Sequence, residues 1–164
     1  ENPEQYGFFK PTKGVFEAWE KTKEICEALR ARIVVFQSPP SFKPTPENIA
    51  NMKEFFPSVE KGFVRVWEPR GWPADRVEEV CNSLGLVHAV DPFAAKPTTT
   101  EPLLYYRLHG SPPGKKMYNY QYTQKDLEVL RGFCPAGKDV YILFNNVQMF
   151  EDSIRFKELI GREA

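Results

Sequence analysis

Three ionisable side chains each follow directly after a short apolar run of the sequence: Glu68, Asp91 and His109. Carboxylates and an imidazole are the groups that enzymes use most often as general acids and bases. Carboxylates also suit a hard divalent metal, which is the one cofactor chemistry the sequence leaves open. The alternative for Glu68 and Asp91 is structural, as caps of the following helices or as partners of arginines. We predict these three side chains as catalytic residues.

Arg107 lies two residues before His109, inside an apolar run. An arginine in such a place must find a carboxylate or an anionic ligand, because an unpaired buried charge is very costly. If its side chain points inward, Glu68 and Asp91 are the available carboxylates. We therefore expect Arg107 to bind a small anionic substrate beside His109.

Other polar residues after the runs are candidate ligand contacts. A loop that interleaves lysines with tyrosines suits stacking on bases or gripping phosphate, although it also suits a solvated surface loop. Paired amides can bind a ligand or satisfy loop backbone. The sequence contains no HxxH, HExxH or CxxC spacing, which are the patterns that would indicate a zinc site. The predicted ligand-binding residues are Arg70, Arg107, Asn145, Asn146, Lys116 and Tyr120.

The elements that position these side chains form a repeating pattern of β-prone runs and amphipathic helices. Polar residues only at the carboxyl end of each run are typical of a parallel sheet with its site on one rim. Helices are indicated by apolar residues three and four apart, and by start signals at Thr45-Pro46, Pro73, Thr123 and Glu151-Asp152. The runs are Ile33–Phe36, Phe63–Trp67, Leu86–Val90, Leu103–Leu108 and Val140–Phe144.

Strands joined by helices predict an α/β protein with a parallel sheet, either doubly wound or a (β/α)8 barrel. No GxGxxG follows a run, which weakens the dinucleotide-binding alternative. In the fourth run Arg107 and His109 share the face opposite Leu104, Tyr106 and Leu108, and a barrel mouth accepts such a face. A barrel needs about 250 residues, so we expect roughly 80 residues to be missing at the amino end. Those strands, or another chain, would then complete the sheet.

Five motifs occur in order along the chain: Gln37–Phe42, Trp67–Arg70, Arg107–Gly110, Tyr122-Thr123 with Asp126-Leu127, and Phe144–Asn146. Together they resemble the YecE-like family, also called domain of unknown function 72, in its archaeal-type branch. The resemblance implies a TIM barrel and no particular reaction. Members begin with three further strand units that this chain lacks, and many have Glu-Phe-Arg where this chain has Glu68-Pro69-Arg70.

The 164 residues suit a single domain, here the C-terminal part of a barrel. The net charge is zero, so nucleic acid is a less favoured partner than a small anion. The cysteines are widely spaced, which predicts free thiols in a reducing cytoplasm, and no run reaches the roughly 18 residues of a membrane span. We predict a hydrolase or lyase acting on a phosphate- or sugar-bearing substrate. The alternative is a non-catalytic module that binds a nucleotide, nucleic acid or protein.

Overall fold

A computed structural model describes residues 6–59, 62–110 and 117–161. Each of the five predicted runs is a strand in this part of the chain, and helices separate all of them except the third and fourth. The strands are β1 (Ile33–Gln37), β2 (Val64–Glu68), β3 (Val87–Val90), β4 (Leu104–Leu108) and β5 (Val140–Phe144). The helices are α1 (Lys13–Ala28), α2 (Pro46–Phe55), α3 (Ala74–Leu84), α4 (Gln124–Gly132) and α5 (Met149–Gly161), and a 3-10 turn spans Phe56–Ser58.

Every strand pair is parallel, and hydrogen-bonded neighbours follow the order β1-β2-β3-β4-β5. The predicted α/β class with a parallel sheet is therefore confirmed. The chain divides into two compact units, residues 1–88 and 89–164, with the boundary inside β3. In unit 1, β1 pairs with β2 from Ile33↔Val64 to Gln37↔Glu68. In unit 2, β4 pairs with β5 from Leu104↔Val140 to Leu108↔Phe144.

The helix start signals hold with small shifts. Thr45 is an N-cap that accepts the N–H of Asn48, and Thr123 and Asp126 form the predicted capping box. Pro73 has extended backbone angles and is the N-cap of α3, so that helix begins at Ala74. The last helix begins at Met149, two residues before its predicted start. The boundary moves because Asn146 O already accepts the N–H of Met149 and starts the turn.

Gly85 is the C-cap of helix α3. Gly85 has a φ of 62°, in the left-handed region where a side chain is strained and glycine is not. Its N–H donates to the carbonyl of Cys81. This cap turns the chain directly into β3.

Each unit has its own apolar core. In unit 1, helix residues pack with Val34 of β1 and Trp67 of β2, and aromatic rings dominate the contacts around Phe55 and Phe56. In unit 2, Leu108 packs with residues of α4 and α5. Leu104 and Tyr106 pack with Val140 and Ile142, so the predicted apolar face of β4 is confirmed.

The three cysteines are free thiols, as predicted. Cys81 is fully buried in the core of unit 1, and burial raises the pKa of its thiol to about 12. Among the described residues, no helix has both the length and the apolar character that crossing a membrane requires.

Candidate functional site

Asp91 follows β3 directly and is held by two backbone N–H groups. Its Oδ1 accepts the N–H of Phe93 at 3.1 Å, and its Oδ2 accepts the N–H of His109 at 3.0 Å. The first contact closes a local turn, since Asp readily bonds the backbone two residues on. The second joins the ends of β3 and β4, whose parallel pairing brings their carboxyl ends to one edge. The carboxylate is therefore held by backbone N–H groups from the segments that follow both strands.

The side chain of His109 lies against this carboxylate. Its Nδ1 is 3.6 Å from Asp91 Oδ2, and the two side chains are 13% and 16% exposed. A carboxylate beside one ring nitrogen stabilises the protonated imidazole and directs the other nitrogen away from it. The pair has the composition of an acid–base centre in which the carboxylate orients the imidazole.

A second segment reaches the same histidine. Tyr118 donates its N–H to the carbonyl of His109 at 2.5 Å, and its ring meets the imidazole edge-to-face with 6.0 Å between centroids. Gly110 donates its N–H to the hydroxyl of Tyr122 at 3.0 Å. Burial raises the pKa of Tyr122 well above its usual value, although the N–H of Gly110 acts in the opposite direction. Tyr122 thus stays a neutral phenol that accepts this bond.

Arg107 lies on β4 opposite Leu143 and is half-buried. It occupies the strand face that its apolar neighbours Leu104, Tyr106 and Leu108 leave, as the alternation of a strand requires. Its role as the anion-binding residue stays a prediction.

The paired amides after β5 differ in their surroundings. Asn146 is buried, and its Nδ2 donates to the carbonyl of Tyr120 and to Oδ2 of Asp152, both at 2.7 Å. Its Oδ1 is buried without a hydrogen-bond partner among the described residues. Asn145 is half-buried and donates its backbone N–H to Leu108 at 2.8 Å. Ligand binding by the two amides remains a prediction.

The predicted ligand contacts of the tyrosine-rich loop are Tyr120 and Lys116. The hydroxyl of Tyr120 donates to Asp126 at 2.7 Å, and burial together with this bond raises its pKa to about 12. The hydroxyl proton of Tyr120 is therefore engaged by Asp126, and the ligand role of Tyr120 stays a prediction. Lys116 lies outside the described residues.

In unit 1, Glu68 ends β2 and is 3% exposed. Its Oε1 lies 2.8 Å from Nη2 of Arg70, so the arginine-paired alternative considered for Glu68 is present in the structure. Glu68 also acts on His88: burial lowers the pKa of that imidazole to about 4, while the Glu68 charge opposes the fall. The predicted catalytic role of Glu68 and the ligand role of Arg70 remain predictions.

Asp152 is a buried site neighbour that the sequence indicates only as part of a helix start. The side chain is fully buried and forms hydrogen bonds or ion pairs with Tyr122, Asn146 and Arg155. The only sequence signal was an aspartate in the first turn of an amphipathic helix, and most such residues are solvated caps. Within the described ranges, no cluster of three or more His, Cys, Asp or Glu side chains is placed to hold a metal ion.

The fold and these strand ends define an α/β protein with a parallel sheet and polar side chains at the carboxyl edge of its strands. The family model "Protein of unknown function DUF72" matches residues 9–163, and the chain belongs to this family. This agrees with the resemblance found in the sequence.

A solved structure of a DUF72 family protein from Thermotoga maritima is similar in fold. It has a TM-score of 0.73 and 22% sequence identity, over 88% of this chain and 65% of that one. The chain thus spans about two thirds of that protein's length. No curated protein matches the chain.

Proposed function

We propose that this chain carries the acid–base centre of an enzyme, formed by Asp91 and His109. The reaction is a hydrolysis or an elimination on a small anionic substrate that bears phosphate or sugar. The observation that carries the proposal is the imidazole of His109 against a carboxylate fixed by two backbone N–H groups. Both side chains keep some exposure at the end of parallel strands, where α/β enzymes place their chemistry.

Each residue has a distinct task in this scheme. Asp91 faces Nδ1, so the Nε2 atom of His109 exchanges the proton with the substrate. Arg107 binds the anionic group, because a guanidinium matches the geometry of phosphate and carboxylate oxygens. Glu68 is a separate candidate proton carrier, held by Arg70.

Tyr118 supports a ligand site beside His109. Its φ of 66° is unusual for a residue with a large side chain, and its ring is 43% exposed. Strained backbone positions concentrate at functional sites. An exposed aromatic face next to an imidazole suits the flat side of a sugar or a base.

We also propose that the five strands belong to a (β/α)8 barrel, of which they are the later units. Parallel pairing in sequence order supports this, and so does the greater length of the Thermotoga maritima protein. Further strands or another chain would pair with the outer strands. A cytoplasmic location and the archaeal-type branch remain hypotheses.

The test uses the two histidines, which are the only ones in the chain. The imidazole signals of His88 and His109 are followed by NMR during titration with inorganic phosphate and with sugar phosphates. We expect the His109 signals to move and those of buried His88 to stay. Hydrolysis of a panel of phosphate esters and glycosides should fall at least about 100-fold in His109→Gln, the scale of general acid–base catalysis. Unchanged His109 signals with every ligand and no turnover of any substrate would refute the proposal.

The second candidate is a binding module, favoured by the exposed ring of Tyr118. Stacking on a base contributes about 1–3 kcal/mol. A nucleotide that binds the wild type and His109→Gln equally, but binds Tyr118→Ala much more weakly, would identify this alternative.

A further inference from the structure

The turn between β5 and α5, together with Arg155 of α5, holds the backbone of the segment Met117–Tyr122, here called the tyrosine segment. The carbonyls of three alternate residues of this segment accept hydrogen bonds. Val147 N donates to Tyr118 O at 2.8 Å, Asn146 Nδ2 donates to Tyr120 O at 2.7 Å, and Arg155 Nη1 donates to Tyr122 O at 2.6 Å.

The carboxylate of Asp152 links two of these donors, Asn146 and Arg155, to the backbone of Tyr122. Its Oδ2 accepts the N–H of Tyr122 at 3.1 Å and Nδ2 of Asn146 at 2.7 Å, and its Oδ1 lies 3.1 Å from Nη1 of Arg155. Asp152 is fully buried. A buried charge persists only when it is paired and hydrogen-bonded. The partners of Asp152 are the backbone of Tyr122 and the side chains of Asn146 and Arg155.

The tyrosine segment in turn forms hydrogen bonds with His109 and Gly110. Tyr118 donates to the carbonyl of His109, the hydroxyl of Tyr122 accepts from Gly110, and Gly110 forms an antiparallel bridge with Met117. Gly110 has a φ of 118°, which only glycine adopts without strain, so the chain after His109 can turn into this bridge. The backbone of His109 is thus fixed from one side by the tyrosine segment and from the other by Asp91.

We infer that Asp152 is a positioning residue for His109, acting through the tyrosine segment. The inference rests on the proposed function, in which His109 is the proton carrier. Asp152 touches neither His109 nor a substrate, and its influence passes through Tyr122 to Gly110 and through Asn146 to the segment as a whole. Small displacements of an acid–base group strongly reduce catalysis, which gives a buried holder of this kind a functional consequence.

The test compares Asp152→Asn with Glu151→Gln. Both remove one carboxylate charge from the first turn of α5, but Glu151 is exposed. In Asp152→Asn we expect amide hydrogen exchange of Tyr118 and Tyr122 to accelerate by about tenfold or more, and the His109 ring signals and titration midpoint to move. Glu151→Gln should match the wild type in both measurements.

Two outcomes would overturn the inference. One is a folded Asp152→Asn protein with wild-type His109 signals and wild-type exchange at Tyr118. The other is exchange that accelerates equally at all core amides of unit 2 with an unchanged His109 titration, which is what a purely structural role produces. If Asp152→Asn does not fold, Arg155→Gln is measured in the same way and judged by the same criteria, because it releases the carbonyl of Tyr122 while Asp152 keeps its hydrogen bonds to Tyr122 N and Asn146.

The proposed function and this inference fail separately. Exchange and ring signals are recorded without substrate, so they report positioning even if His109 has no catalytic role. Wild-type turnover in His109→Gln, together with the expected response to Asp152→Asn, would remove the acid–base proposal and leave the positioning contact intact.

Discussion

One oxygen of Asp91 lies next to both the backbone and the side chain of His109: Oδ2 accepts the N–H at 3.0 Å and is 3.6 Å from Nδ1. This double contact ties the direction of the imidazole to the backbone at the end of β4. The carboxylate cannot move away from the ring without also giving up the bond between two strand ends. The position of the imidazole is therefore coupled to the junction between the two strand ends.

The first prediction concerns this pair. Asp91→Asn keeps the side-chain shape but removes the negative charge that favours the protonated imidazole. We expect the titration midpoint of His109, followed by NMR, to move to lower pH, and any turnover to fall. Asp139→Asn, at an exposed aspartate before β5, is the control and should leave the midpoint in place. A midpoint that rises or stays in Asp91→Asn would contradict the assigned contact.

The second prediction concerns acid stability in unit 1. Burial lowers the pKa of His88 to about 4 in the folded chain, against about 6.5 in the unfolded chain. Between these two pKa values only the unfolded state binds the proton. The contribution of His88 to the unfolding free energy is therefore complete above pH 6.5 and is lost as the pH falls toward 4. The loss amounts to roughly 3 kcal/mol of unfolding free energy. His88→Gln should lack this part of the pH dependence.

All three tryptophans, Trp19, Trp67 and Trp72, lie in unit 1, so their fluorescence in urea reports its unfolding. The measurement compares wild type and His88→Gln at pH 7.5 and pH 4.5. If the two proteins lose the same unfolding free energy between these values, His88 is not the group responsible. Glu68→Gln should lower the His88 pKa further, because it removes the charge that supports the protonated form.

The third prediction concerns the ion pair of Glu68 and Arg70. The Glu68 side chain is 5% exposed and that of Arg70 is 21% exposed. Removing the arginine would leave a buried carboxylate without this partner, so Arg70→Gln should cost roughly 3 kcal/mol of unfolding free energy. Glu68→Gln should cost less, since the arginine keeps contact with water. The double variant, compared with both single ones by tryptophan fluorescence, gives the coupling energy. Additive effects would show that the two side chains act independently.

The strand ends could be predicted because polar residues after apolar runs depend only on local sequence and on the geometry of parallel strands. Asp91 and His109 are examples, because β3 and β4 are adjacent parallel strands and the two residues follow their carboxyl ends. The role of Asp152 could not be predicted, because its burial depends on a turn after β5 that meets a segment some thirty residues earlier. The sequence indicates Asn146 only as one of two amides after a strand, because its partners Tyr120 and Asp152 lie on other elements and leave no periodic signal.

The last prediction concerns the capping box of α4. Asp126 Oδ2 accepts from the backbone and hydroxyl of Thr123 and from the hydroxyl of Tyr120. Burial by itself raises the pKa of Asp126, but these hydrogen bonds outweigh it, and the net pKa is below its usual value. The stabilisation is therefore present above the unfolded pKa of about 3.9 and is lost as the pH falls through the lower folded value.

Asp126→Asn should cost about 1–2 kcal/mol at pH 7, because a neutral amide replaces a carboxylate with three donors. The cost should shrink as the pH falls below 4, where the wild-type carboxyl also loses its charge. Unit 2 contains no tryptophan, so the measurement is amide hydrogen exchange at Leu127, whose N–H donates to Thr123 O in the first turn of α4. Glu128→Gln, an exposed change in the same helix, should leave this exchange unchanged. A cost for Asp126→Asn that is the same at pH 7 and pH 3 would show that its charge does not contribute to the cap.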